Sequence, residues 1–142
     1  MSASDQPTHE LHPEESWEFL RSHEFGRIAF HLLDEVHIVP INYVVDDERL
    51  LFRTSEGSKL LGLKMNADVA FETDAIENEI ATSVVIRGEA HELRGDAARM
   101  VEQLPLRPWV DTPKMRIVGI RVTEITGRRF DLARPWLRAR VD

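Results

Sequence analysis

The stretch Val36-His37-Ile38-Val39-Pro40-Ile41-Asn42-Tyr43-Val44-Val45-Asp46-Asp47-Glu48-Arg49-Leu50-Leu51-Phe52-Arg53-Thr54-Ser55-Glu56-Gly57-Ser58-Lys59 decides the fold. Val36 to Val45 reads as a long strand with Pro40 in its middle. Proline has no N–H for a ladder, so Pro40 implies an edge, a bulge or an interruption beside a site. Asp46-Asp47-Glu48 is the turn, and Arg49 to Thr54 returns as a strand with Leu50 and Phe52 on one face. Ser55 to Gly57 is a loop, and Ser58 caps a short helix carrying Leu60, Leu61, Leu63 and Met65.

Upstream of this hairpin, residues 1–12 read as a flexible leader. Pro13 suits a first helical turn, with Glu14 and Glu15 at the positive end of the dipole. Trp17, Phe19 and Leu20 supply the apolar face, and Gly26 is expected to end the helix. Ile28, Phe30 and Leu32 then alternate with Arg27, Ala29 and His31, as in a half-buried strand. Downstream, Asp68 to Thr73 and Thr82 to Leu93 are further strands, and Asp96 to Leu104 is a short helix. A loop interrupted by Pro105, Pro108 and Pro113 carries Trp109. Met115 to Ile125 is the last long strand, and Gly127 is expected to turn the chain into a final one around Arg129 to Leu132.

Strands at hairpin-like spacing with helices at the breaks suit a mainly β, six-stranded antiparallel barrel with short peripheral helices, in one domain over residues 13–142. The 142 residues are enough for one core, and 42% hydrophobic with 30% charged residues is an ordinary globular balance. The absence of cysteine removes disulfides, thiolate metal sites and cysteine nucleophiles. A net charge of −7 disfavours nucleic acid as a partner. The polar, acidic start and the lack of a long apolar run make a cytoplasmic, non-membrane location the expectation.

Two segments can carry chemistry. Thr54-Ser55-Glu56-Gly57-Ser58-Lys59 joins a strand end to a helix start, where free N–H groups, hydroxyls, a glycine and a lysine make a phosphate seat. Its spacing is not that of a Walker loop, and by spacing alone a polar loop capped by Ser58 is an equal reading. Pro40-Ile41-Asn42-Tyr43 offers an aromatic and an amide beside a strand interruption, suited to a planar heterocycle, although an ordinary edge strand reads the same way. The two lie on adjacent strands of one hairpin, so ring seat and phosphate seat would be neighbours. The six histidines show no metal-ligand spacing on a helix; His37 could donate a proton near a barrel mouth.

The ordered series Gly26-Arg27-Ile28-Ala29-Phe30, Ile38 to Tyr43, Leu51 to Thr54 with Gly57-Ser58-Lys59, Val69-Ala70-Phe71-Glu72, and Ser83 to Ala90 resembles the pyridoxamine 5′-phosphate oxidase-like, FMN-binding split-barrel superfamily, in its small actinobacterial-type branch. The resemblance implies a barrel homodimer with FMN at the subunit interface. It implies that Pro40, Ile41, Asn42, Tyr43 and Val44 line the isoalloxazine through backbone groups, and that Thr54, Ser58 and Lys59 hold the phosphate. Ser83 would meet the flavin, Arg53 would be a conditional second cation, and Trp109 would cap the partner's flavin or plug the barrel end.

Two departures limit it. Leu60 stands where true oxidases place a second consecutive basic residue, and the oxidase's substrate-gripping Arg and His have no match. A flavin-dependent oxidoreductase of another substrate is therefore expected, rather than oxidation of pyridoxamine phosphate. A deazaflavin F420 reductase is an alternative, needing a basic groove from residues such as Arg27, Arg53 and Lys64. A cofactor-free or haem-binding dimeric module is the other.

Overall fold

The computed structural model describes residues 8–32, 34–55, 68–101 and 115–132. Ser58, Lys59, Trp109 and the helix expected around Leu60–Met65 lie outside them. Strand β1 (Thr8–Glu10) precedes helix α1 (Pro13–Arg21), and β2 (Phe25–Leu32), β3 (Glu35–Asn42), β4 (Val44–Asp46) and β5 (Arg49–Ser55) follow. Then come β6 (Asp68–Glu77), β7 (Ile80–Leu93), α2 (Asp96–Val101) and β8 (Met115–Asp131).

All the strand pairings are antiparallel, and the path across the sheet runs β3-β2-β6-β7-β8-β5-β4, with β1 added to β8. β3 and β4 are the two ends of this path, yet only Tyr43 separates them in the chain. A sheet whose ends are joined by one residue has to curl until they meet. Leu20, Ile28, Phe30, Ile41, Tyr43, Leu50, Phe52, Phe71, Val84, Ile86, Val118 and Ile120 accordingly share a single core drawn from α1 and from both ends of the path. This is the split barrel that the sequence implied.

Tyr43 is buried at the seam, where its N–H donates to Glu24 O at 2.9 Å and its hydroxyl donates to Leu20 O at 2.7 Å. Its ring meets Phe71 edge-on, with centroids 4.9 Å apart. Burial of the phenol pushes its pKa well above the ordinary tyrosine range. The loop residues suit the hairpins they close. Asn78 and Glu79 both adopt positive φ (52° and 62°) in the two-residue β6–β7 turn, and Asp47 does so (55°) between β4 and β5.

Several expectations need correction. The described residues contain eight strands rather than six. The Val36–Val45 strand is two strands on opposite ends of the sheet, broken at Tyr43. Thr8–Glu10, read as flexible leader, pair with Phe130, Arg129 and Arg128, which gives this stretch a ladder the polar sequence does not announce. Gly26 does not end α1, which stops at Arg21 with Ser22 Oγ donating to Phe19 O at 2.8 Å. Gly26 lies instead within β2, where a Cβ would sit 2.4 Å from Phe71 Cζ. Gly127 makes no turn: β8 runs through it unbroken, because a buried residue without a side chain lets α1 dock at that point. The strand's curvature is taken up by a bulge in β8 itself, where Thr123 is the extra residue between Glu124 and Val122, the partners of Arg87 and Gly88.

At the α1–β8 contact, Ser16 is fully buried and its hydroxyl has no hydrogen-bond partner among the described residues. A buried hydroxyl with no partner costs about 1–3 kcal/mol. Ser16→Ala is therefore expected to leave the thermal midpoint unchanged or to raise it. Tyr43→Phe removes the hydroxyl that donates to Leu20 O and is expected to cost about 1 kcal/mol in denaturant unfolding. A Tyr43→Phe midpoint equal to wild type would remove the seam hydrogen bond from the list of stabilising contacts.

Candidate functional site

Beside Tyr43 the curled sheet leaves an open cleft of about 670 Å³, between the end of α1 (residues 21–25), residues 43–45 and Asp74. Strand alternation sorts the candidate residues around it. On β2, Gly26, Ile28 and Phe30 point inward, so Phe25, Arg27 and Ala29 face out. On β3, Ile41 is buried in the core while Pro40 and Asn42 face outward. On β7, Val84 and Ile86 are buried, leaving Ser83 and Val85 outside.

The register then aligns outer residues in rows. Pro40 lies opposite Arg27, Arg27 opposite Glu72, and Glu72 opposite Val85. In the next row Asn42 lies opposite Phe25, and Asp74 opposite Ser83, which is in turn opposite Arg128. Three candidate residues, Pro40, Asn42 and Ser83, thus share one outer surface with the aromatic Phe25. Ile41 and Tyr43 contribute backbone only, because their side chains belong to the core.

A carboxylate pair sits on this surface. Arg27 Nε donates to Glu72 Oε1 at 3.0 Å, and its Nη2 bonds both Glu72 and Asp74, the latter at 2.7 Å. Burial pushes the Glu72 carboxyl above its ordinary value, Asp74 adds to the shift and Arg27 opposes it. His37, the candidate proton donor, stacks on Phe30 at 5.4 Å and meets Glu35 at 3.2 Å, on a strand face directed away from this surface.

The end of β5 forms the second region. Val44 lies opposite Leu51, and Arg53 continues the face of Leu51. That face packs on Ile117, Leu93 and Val101. Arg53 is half-buried there. Thr54 continues the face of Leu50 and Phe52, is buried, and lies directly opposite Arg116. Arg116 Nη1 donates to Glu92 Oε1 at 2.9 Å, and Arg94 holds the other oxygen of the same carboxylate. The Glu92 side chain is only 6% exposed, and hydrogen bonds from Arg116 and then Arg94 hold its carboxyl below the ordinary range against the opposing effect of burial.

Geometry decides which candidates converge. Thr54 is three residues beyond Leu51, so on the order of 10 Å of strand separates the level of Val44 from the level of Thr54. A pentitol phosphate has that reach. Ser83 is ten residues back along β7 from Leu93, the partner of the residue facing Arg53, or roughly 30 Å of extended strand. Within one chain Ser83 joins Asn42 and Asp74, and does not join Arg53 and Thr54. The donor set fits a flavin phosphate in kind, with a hydroxyl and guanidinium groups at one end and a surface bearing an amide, a hydroxyl and an aromatic at the other. Sequence reasoning missed Phe25, Asp74, Glu92 and Arg116 as site residues. Only the register brings Glu92 and Arg116 together, across 24 positions of sequence.

Because the folded-state pKa of Glu92 is lowered, its contribution to stability is present above the ordinary value of 4.5 and is lost as pH falls toward the folded value. Glu92→Gln is expected to flatten the fall of the thermal midpoint below about pH 4.5 relative to wild type. An identical acid limb in the variant would show that this carboxylate does not govern acid stability.

The pyridoxamine 5′-phosphate oxidase family model matches residues 12–129. A candidate pyridoxamine 5′-phosphate oxidase of Corynebacterium glutamicum, with 37% identity, superposes with a TM-score of 0.81 over 91% of this chain and 98% of its own. The FAD binding protein of Mycobacterium smegmatis, also with 37% identity, superposes with a TM-score of 0.72 over 86% of this chain and 97% of its own. An uncharacterised protein of Mycobacterium tuberculosis is 32% identical over 128 residues, 85% of this chain and 84% of its own length. With the family model spanning most of the chain and the split barrel in place, this protein belongs to the pyridoxamine 5′-phosphate oxidase family.

Proposed function

We propose that this protein is a homodimeric flavin-binding oxidoreductase that holds FMN between the outer sheet surface near the seam and the end of β5. The observation that carries the reading is a spacing along β5: the cleft bordered by Val44 lies on the order of 10 Å, the reach of a pentitol phosphate, from the strand end that bears Arg53 and Thr54. Bound flavin would supply the hydride or electron transfer. Backbone groups of 40–44 and the side chains of Asn42 and Ser83 would orient the ring. Thr54, Ser58 and Lys59 would hold the phosphate, with Arg53 on the neighbouring face. Glu72 and Asp74 keep Arg27 engaged, and this weakens the F420 reading, which needs that cation for an acidic tail.

The dimer is supported by what one chain leaves uncovered. Val36 and Ile38 are 81% and 68% exposed and, with Pro40, form an apolar stripe on the edge strand β3. Burying such a stripe against a second copy removes both an apolar patch and an unpaired edge from water. FAD is the second reading for the cofactor, favoured by the FAD binding protein of M. smegmatis at 37% identity.

Purified protein is expected to be yellow and to release FMN on denaturation, identified by its retention against FMN and FAD standards; released FAD would select the second reading. A colourless preparation whose thermal midpoint neither flavin raises would sink the proposal, since a ligand selective for the folded state raises that midpoint. Lys59→Ala is expected to weaken FMN binding at least tenfold, the loss of one charge-assisted phosphate contact. Unchanged affinity would refute the role of Lys59.

A further inference from the structure

The inner face of the barrel continues past the core to the end beside α1. On β7, Thr82 extends the buried face of Val84 and Ile86, and Ile80 carries it to the start of the strand. Antiparallel partners share a face, so the register sets Ala75 of β6, Thr82 of β7 and Arg129 of β8 in one row across three strands. The C-terminal end of α1 meets this row across a cavity of about 380 Å³, which Phe19, Ser22, His23, Ile80, Thr82 and Arg129 all line. That volume falls within the usual range of small-molecule sites, roughly 300–1,000 Å³. Ser22 and His23 also line the cleft beside Tyr43, so the two spaces adjoin.

Thr82 is only 8% exposed, and no described residue bonds its hydroxyl. A buried hydroxyl without a partner is a net cost to the fold, which a ligand able to accept from it would relieve. Arg129 is half-buried, and its guanidinium has no ion-pair or hydrogen-bond partner among the described residues. A partly desolvated guanidinium matches a carboxylate in particular, through two parallel N–H···O bonds.

The opposite wall is built in advance. His23 Nδ1 lies 2.8 Å from Phe19 O, and a carbonyl only accepts, so Nδ1 carries the proton and donates. With Ser22 Oγ 3.0 Å from the same nitrogen, this bond holds the imidazole stacked on the Phe19 ring, with centroids 4.0 Å apart. The pair presents flat rings, and Ile80, 37% exposed, adds an apolar side chain. Glu77 also lines the cavity, but it is exposed and stands on β6. The whole of β7 separates it from Arg129, about 10 Å of sheet at the backbone.

We propose that this cavity is a binding site for a small aromatic carboxylate. The carboxylate accepts from the Arg129 guanidinium and the Thr82 hydroxyl, and the ring lies along the Phe19–His23 pair and Ile80. None of the residues assigned to the flavin lines this cavity, so the inference stands or falls apart from that reading.

The test is titration of the full-length protein with benzoate, benzamide and benzylamine, followed by two-dimensional amide NMR. Benzoate is expected to saturate with a Kd on the order of 0.1–1 mM, at least tenfold tighter than its neutral isostere benzamide. The shifted resonances should centre on His23, Thr82 and Arg129. Arg129→Gln should bring the benzoate affinity down to that of benzamide, and Thr82→Val should weaken benzoate several-fold. Benzamide binding as tightly as benzoate overturns the inference, as does tighter binding of benzylamine, which would make Glu77 the governing charge. Shifts centred on Val44 and Val45 would put benzoate in the neighbouring cleft and overturn it too. So would the failure of benzoate to saturate, or an affinity that Arg129→Gln leaves unchanged. If Arg129→Gln does not fold, the benzoate-to-benzamide ratio and the shift map of the wild type decide with Thr82→Val, and an unchanged affinity in Thr82→Val then overturns the inference.

Discussion

Tyr43 occupies the single position between β3 and β4, strands that stand at opposite ends of a seven-strand path. No crossover helix or loop is available to cover that gap, so the sheet itself has to bend until its ends touch. The side chain then closes the joint by filling space against Phe71 and by donating to Leu20 O, which ties the helix end to the seam. Closing the sheet satisfies the apolar faces of strands from both halves of the chain in one core. It also leaves a cleft where the backbone changes edges, because two strand ends and a helix end cannot pack flush.

The functional geometry follows from that closure. Alternation around the barrel sends Ile28, Phe30, Val84 and Ile86 inward, and so leaves Phe25, Arg27, Asp74 and Ser83 on a common outer surface. β5 differs, since Leu50, Leu51 and Phe52 are all buried: one face meets the barrel core and the other meets the small cluster under α2. A strand covered on both sides is held firmly, and its end therefore presents Thr54 and Arg53 in defined directions. The ionic contacts follow the same division, with Arg27 engaged by two carboxylates on the outer surface near the seam and Glu92 engaged by two arginines near the end of β5.

The local periodicities were legible from sequence. Pro13 followed by two glutamates marks the start of α1, the alternation from Gly26 to Leu32 marks β2, and Pro40 marks an edge strand because its missing N–H cannot serve an interior ladder. The two candidate segments, Pro40–Val44 and Arg53–Lys59, were legible in the same way, through proline, glycine, hydroxyl and lysine chemistry close together in the chain. Boundaries set by packing were not. Gly26 and Gly127 look like punctuation in a linear reading, whereas each is a place where another element approaches too closely for a Cβ: the Phe71 ring in one case, Ser16 and Leu11 in the other. The polar stretch Thr8–Glu10 carries no strand signal of its own and acquires a ladder only because β8 extends beside it.

By itself, then, the sequence determined the class of the fold and the kinds of group at hand, because strand alternation, turn chemistry and helix starts are properties of neighbouring residues. Tertiary structure alone decided which of those groups meet. The Tyr43 side chain went to the core, since closing the barrel buries whatever side chain points inward at the seam. Ser83 joined Asn42 instead of Thr54, and Arg116 joined Glu92 and Thr54, because antiparallel register pairs residues by their distance from a turn and not by their chemistry.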